Sequence, residues 1–246
     1  MRKYLFALLL PALLSARAAA FSPLTGEDAK FLGVDGRQMQ GWLDYGVSRE
    51  GPDRYSTGAF GELAYGLFEK IDLKVTVPWR GWTSRGISES GLGDVMLEGK
   101  FGCACRAGWD LALKPGFSLP AGNEAKSLGA GKGGAWLYGV AERSFGAWRL
   151  TLNGGYMYNR NSLDERESLL KTSAAAALAV LPKLRASLRL AAATNPDKSA
   201  HSHPLSSLLG LTWSPSRSLD VSAGAGLGLN RAAEDMELVA GLALRI

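Results

Sequence analysis

One short run concentrates the residue types that could do chemistry. His201 and His203 stand with Ser202 and Ser206 in DKSAHSHPLSS. An H-x-H pair can bind a metal, and His near Ser can serve hydrolysis, as in membrane-embedded lipid hydrolases. Hydrolysis needs a base oriented by a third group beside an oxyanion site. A loop is a poor scaffold for that geometry, so lipid modification by His201 or His203 is the weakest reading. Leu128–Gly134 (LGAGKGG) has the look of a phosphate loop. It fails, because Lys126 stands where the first Gly is needed and Gly133 replaces Ser or Thr. Asp164, Glu165 and Glu167 near Asn161 could hold a divalent cation, but a solvated loop explains them as well. Cys103 and Cys105 are two residues apart, an awkward span for a disulfide. The expectation is no catalytic residue, no metal site and no cofactor.

The remaining charges fall into a different pattern, set by period-two alternation. Leu73, Val75, Val77 and Trp79 share one face; Asp72, Lys74, Thr76 and Pro78 share the other. Val95, Leu97, Gly99 and Phe101 oppose Asp94, Met96, Glu98 and Lys100. Leu111, Leu113, Pro115, Phe117 and Leu119 oppose Asp110, Ala112, Lys114, Gly116 and Ser118. Leu184, Ala186, Leu188 and Leu190 oppose Arg185, Ser187 and Arg189. The same habit recurs along the chain. It predicts twelve strands, at 38–49, 54–67, 70–79, 92–102, 109–119, 135–144, 148–158, 167–181, 184–194, 205–213, 219–229 and 235–246. Two are weaker: 135–144 lacks a clean polar face, and 169–181 is alanine-rich enough for a short helix by propensity. Gly, at 31 of 246 residues, also argues against a mostly helical chain.

Such strands suit a soluble barrel with its apolar face inside, or a membrane barrel with that face outside. Three features favour the second. The strands run near ten residues, enough at about 45° tilt to cross an apolar band of roughly 25 Å. Aromatics collect at strand ends, in Trp79, Phe101, Trp109, Trp148, Tyr156, Tyr158 and Trp213, as interfacial girdles require. The polar face is rich in small residues, as in Ser222, Gly224, Gly226 and Gly228. Long and short connections alternate, and an even strand count puts both termini at the short-turn end. The predicted fold is an all-β, 12-stranded antiparallel up-and-down transmembrane β-barrel over 38–246. Its inward charges then comprise nine basic and nine acidic side chains, by count of the alternating positions. That balance argues against a strong anion or cation filter. Cross-strand ion pairs would satisfy most of them. Lys74, Asp94, Glu98, Lys100 and Lys114, on consecutive strands, form the candidate constriction, with Arg149 and Arg189 added from later strands.

Residues 1–20, MRKYLFALLLPALLSARAAA, read as a signal peptide with cleavage before Phe21. Losing Arg2, Lys3 and Arg17 takes the basic count from 28 to 25 against 23 acidic, and net charge from +5 to +2. No basic cluster remains to suggest nucleic acid. Residues 21–37 are a periplasmic lead-in or a short lumen plug. The expected place is the Gram-negative outer membrane. Expected partners are its lipids and lipopolysaccharide, the barrel-assembly machinery during insertion, and a small solute.

Gly91–Phe101 (GLGDVMLEGKF) resembles a G-x-G-D-x-x-L-x-x-K-[YF] strand, and Leu113–Gly122 (LKPGFSLPAG) the strand and P-[TA]-G loop that follow it. Leu209–Pro215 and Leu219–Leu227 resemble the late hairpin of the same group. Together these look like the outer-membrane transporter-like family associated with the meta-pathway of phenol degradation, over most of 36–246. The resemblance implies passage of small, hydrophobic or aromatic compounds. A channel is the first reading. The alternative is a closed structural or surface-recognition barrel working through loops 80–91, 120–134 and 195–204.

Overall fold

The computed structural model describes Leu24 and residues 28–49, 53–103 and 107–246. The predicted signal peptide and Cys105 lie outside the described residues. The strands are β1 (Arg37–Ser48), β2 (Arg54–Phe68), β3 (Ile71–Ser84), β4 (Ile87–Leu92), β5 (Val95–Gly102), β6 (Asp110–Leu119), β7 (Ala135–Phe145), β8 (Trp148–Tyr158), β9 (Ser168–Leu181), β10 (Leu184–Ala193), β11 (Leu205–Trp213), β12 (Leu219–Gly228) and β13 (Met236–Arg245). Each pairs antiparallel with its neighbours, and β1 pairs with both β2 and β13. The β1–β13 ladder runs from Gln38 opposite Arg245 to Val47 opposite Met236, and closes the barrel. Past its end, the Ile246 amide still donates to the Arg37 carbonyl at 2.9 Å.

Thirteen hydrogen-bonded segments make twelve staves, because β4 and β5 are one stave interrupted at Gly93–Asp94. This corrects the sequence reading in two places. The strand predicted at 92–102 begins earlier, at Ile87, and carries an irregularity. The loop predicted at 80–91 is a hairpin, in which β3 runs on to Ser84. Its two-residue turn, Arg85 and Gly86, has positive φ at both positions. That matches the right-handed twist of the flanking strands. The alanine-rich stretch is strand β9 and not a helix. Its propensity is overridden because β8 and β10 offer complete ladders on both sides.

The faces are inverted relative to a water-soluble protein. Leu209, Leu43 and Leu227, pointing outward, are 65%, 62% and 61% exposed. Lys114 and Glu142, pointing inward, are 0% exposed, and Asp220 is 1% exposed. A coat of bare leucines is unfavourable against water and favourable against hydrocarbon. Small residues on the inner face have a specific use. A Cβ on Gly116 would strike the Trp136 ring, and one on Gly155 would strike Tyr138. These glycines let rings from the next strand lie flat on the wall.

Phe101, Trp109, Trp148 and Trp213 lie toward the short-turn end of the wall, while Trp79, Tyr156 and Tyr158 lie toward the long-loop end. The two ends of the outer surface thus carry separate aromatic bands.

The inverted arrangement makes a sharp prediction. Leu209→Arg, at an outward-facing mid-strand position, should cost about 2–4 kcal/mol in a bilayer. Urea unfolding of liposome-reconstituted protein would measure it. A soluble barrel would lose almost nothing at so open a position.

Candidate functional site

Hydrophobic alternation turns the charged residues inward, and the ladder register decides which of them meet. Lys74 stands opposite Glu98 across β3–β5 and diagonal to Glu62 on β2. Its ammonium lies 3.4 Å from Glu98 and 3.1 Å from Glu62. Lys114, on β6, reaches the same Glu98 oxygen at 2.7 Å. The Trp136 indole on β7 donates to the other Glu98 oxygen at 3.1 Å. Glu98 therefore joins four staves. Further round the ring, Arg149 lies 3.5 Å from Glu142, Arg189 lies 3.6 Å from Glu237, and Arg245 pairs with Asp220.

The chain before β1 enters this lumen. Gly36 accepts from the Gly66 amide at 2.8 Å, and the Asp35 amide donates back to Gly66 at 2.9 Å. The Leu32 amide faces both Asp72 carboxylate oxygens at 3.3 Å. Lys100 is the principal anchor. Its ammonium lies 2.5 Å from Asp28, donates to the Lys30 carbonyl, and sits 5.1 Å from the Phe31 ring centroid. Lys30 in turn reaches Glu142 at 3.8 Å. Apolar contacts finish the seat. Phe31 packs with Ala29, Ala112 and Val140, and Leu24 packs with Leu208, Val239 and Trp42. The wall is glycine where the segment lies closest. A Cβ on Gly66 would meet the Gly33 carbonyl, and one on Gly102 would meet Phe31. Between segment and wall, at the turn end, is a cavity of about 840 Å³ lined by Asp28, Phe31, Gln40, Glu62, Lys74 and Lys100 among others.

Of the predicted constriction residues, the structure joins Lys74, Glu98 and Lys114 directly. Lys100 is turned toward the segment before β1. Arg149 belongs with Glu142 and Lys30, and Arg189 with Glu237 on β13. Asp94 stands apart: it accepts from the Gly122 amide at 3.0 Å and the Ala130 amide at 2.8 Å, holding loop 120–134 to the wall. Asp28 and Lys30 were not singled out by sequence reasoning. Their signal was a pair of opposite charges just before the first strand, facing no alternation of their own.

The long-loop end is also ordered. Arg166 donates to the carbonyls of Asp197, Lys198 and Ala200 at 2.9–3.2 Å. Lys198 pairs with Asp164. Loops 159–167 and 194–204 are thus tied together. His203 accepts from the Asn195 amide at 3.1 Å, so one of the two candidate histidines is engaged in holding its own loop. Asp197 accepts from Ser199 Oγ at 2.7 Å and from the Ser199 amide at 2.8 Å. These bonds, side chain first, hold its carboxyl below the ordinary aspartate range.

A family model described as the putative MetA-pathway of phenol degradation matches residues 48–246. Among solved structures, the COG4313 outer membrane channel from Pseudomonas putida F1 is similar, with a TM-score of 0.75 at 14% identity, covering 89% of this chain and 98% of that one. The translocator domain of the autotransporter NalP from Neisseria meningitidis gives a TM-score of 0.56 at 12% identity, over 87% and 89% of the two chains. The KdgM porin in complex with disordered oligogalacturonate gives 0.54 at 7% identity, over 82% and 98%. A search of curated proteins finds no match. The shared architecture is the outer-membrane β-barrel.

Two predictions follow from this geometry. Glu98→Ala strips Lys114 of a carboxylate at a site with no solvent exposure. The folded barrel should lose about 3–5 kcal/mol, read from denaturant unfolding. Separately, a carboxyl depressed on folding stabilises its loop above the unfolded pKa, and that contribution disappears as pH falls through the folded value. The Ser199 amide resonance should therefore titrate with a midpoint below about 3.9, the ordinary aspartate value. A midpoint at or above that value would contradict the Asp197–Ser199 bonds.

Proposed function

Since the chain belongs to the family described as the putative MetA-pathway of phenol degradation, and folds as outer-membrane channels and porins do, we propose that it is a passive outer-membrane channel for small hydrophobic or aromatic solutes. The observation that carries this reading is the lumen itself. It is lined with polar and charged side chains and holds a cavity of about 840 Å³ at one end. A purely structural barrel has no use for such a space. On this reading residues 1–20 direct export, the outward leucines meet lipid acyl chains, and the aromatic bands mark the two interfaces. The loop end faces lipopolysaccharide, and insertion depends on the barrel-assembly machinery. Transport needs no bond to be made or broken.

The segment before β1 is then a plug. It occupies the turn end, and it is held by contacts of a kind that can be released. The Lys100–Asp28 pair is electrostatic. The Leu32–Asp72 bonds are long at 3.3 Å. The Phe31 and Leu24 packing is apolar and forms no directed bond. The charged collar of Lys74, Glu98 and Lys114 lies beyond it and narrows the path. A solute passing this collar meets charges already paired, so the collar exerts no strong selection for either sign of charge.

Single-channel recording in planar bilayers tests both parts. Deleting residues 21–36 should raise conductance several-fold, and Lys100→Met should increase open time at unchanged maximal conductance. If the deletion variant migrates as a folded, heat-modifiable barrel yet passes neither current nor a small aromatic solute, the channel reading fails.

A further inference from the structure

The half of the lumen toward the long loops is built differently from the paired collar. Two of its cations, Arg80 on β3 and Lys171 on β9, have no carboxylate within ion-pair distance among the described residues, and neither donates a side-chain hydrogen bond there. Both are accessible from the lumen. Four staves lie between them one way round the ring and six the other, so they stand on opposite walls of the barrel. They are near enough for the Arg80 charge to act on Lys171. Two like charges turned toward one space are unfavourable unless an anion comes between them. Asp44 on β1 also lies within reach of the Arg80 charge, with Glu234 behind it. Glu234 is engaged by the Ser56 hydroxyl at 2.8 Å. These carboxylates moderate Arg80, but neither forms an ion pair with it, and neither acts on Lys171.

Each cation also has a ring beside it. On one wall, Trp42 and Phe60 stand directly opposite on β1 and β2. They stack with centroids 4.8 Å apart and planes within 5°. The Arg80 guanidinium continues the column, 5.9 Å from the Phe60 centroid. On the other wall, Tyr138, Gly155 and Lys171 form one rung across β7, β8 and β9. The Tyr138 ring lies over Gly155, toward Lys171. One position down β8, on the same face, Asn153 has both its amide nitrogen and its amide oxygen buried without a hydrogen-bond partner. A buried, unsatisfied amide is costly, and a polar ligand atom within its reach would satisfy it.

From this arrangement we infer that the loop-end half of the lumen binds small aromatic carboxylates, the carboxylate bridging Arg80 and Lys171 and the ring lying against Phe60 and Tyr138. The inference rests on the channel reading and narrows its solute to one chemical class. Guanidinium and ammonium supply charge-assisted bonds to the anion. Asn153 offers an amide N–H to the same group. The flanking rings accept an apolar ring but give nothing to a bare inorganic anion. A neutral phenol would find the rings but leave both cations uncompensated.

Equilibrium dialysis of radiolabelled benzoate against the folded full-length chain in detergent tests this. Benzoate should bind saturably at one site. Benzamide, which keeps the ring, and acetate, which keeps the charge, should each compete at least tenfold more weakly. Arg80→Gln and Lys171→Gln should each weaken benzoate by about tenfold or more, with heat-modifiable migration unchanged. The competition series on the unmodified protein decides the matter even where a variant fails to fold. Absence of saturable binding overturns the inference. Acetate as strong as benzoate reduces the site to a simple anion site, and benzamide as strong as benzoate reduces it to an apolar one; either result also overturns it. A barrel that conducts in bilayers but does not hold benzoate removes this inference alone, whereas the channel reading stands or falls on conductance.

Discussion

The ladder between β1 and β13 is the constraint on which the rest of the molecule depends. An open sheet of this size would leave a row of backbone amides and carbonyls with nothing to bond in hydrocarbon. Closing the ring removes that edge, and closure dictates the other features in turn. Every stave must be extended, including alanine-rich β9. Every stave then has one face outside and one face inside. With leucine committed to the outside, the charges have nowhere to go but the lumen. Inside, they are far from bulk water, and so they are stable only in pairs or in company with a bound group. The pairing of Lys74, Glu98 and Lys114 follows from the closed wall as directly as the exposed leucines do.

That chain of causes explains what could be seen before any coordinates. Alternation of Leu73, Val75, Val77 with Lys74 and Thr76 is a local property, and it determines strand identity and the facing of each side chain. Adjacent antiparallel staves then bring Lys74, Glu98 and Lys114 together with little freedom. What alternation does not encode is where a strand stops. Trp79 looked like an interfacial end, so Arg80 was lost with the loop it was assigned to. The ladder in fact continues through Gly81, Trp82 and Thr83, past the end of the apolar alternation. Nor does alternation encode contacts across the lumen. Lys171 and Arg80 are 91 positions apart in sequence and share one lumen only because the ring closes. Lys100 was placed correctly on the inner face, yet its partner Asp28 belongs to a segment with no repeat to read.

The two halves of the lumen divide the electrostatic work. Toward the turns, opposite charges neutralise one another and stiffen the wall. Toward the loops, Arg80 and Lys171 keep their charge available, and Asn153 keeps its amide. A barrel with paired charge throughout would be sturdier and indifferent to what passes. On the proposed reading, groups left unanswered would give a passive conduit its preference.

The glycines beneath the entering segment have one more consequence. Gly66 and Gly102 are bare because Gly33 and Phe31 occupy the space a side chain would take, and Gly210 and Gly224 yield likewise to Leu24. The wall is a mould of the segment. On the plug reading proposed above, withdrawal of the segment would leave a hollow already cut, floored by naked backbone and running from the turn end up to mid-depth. On that same reading water and solute would follow this track, and the route of permeation would be inscribed by the very piece of chain that blocks it.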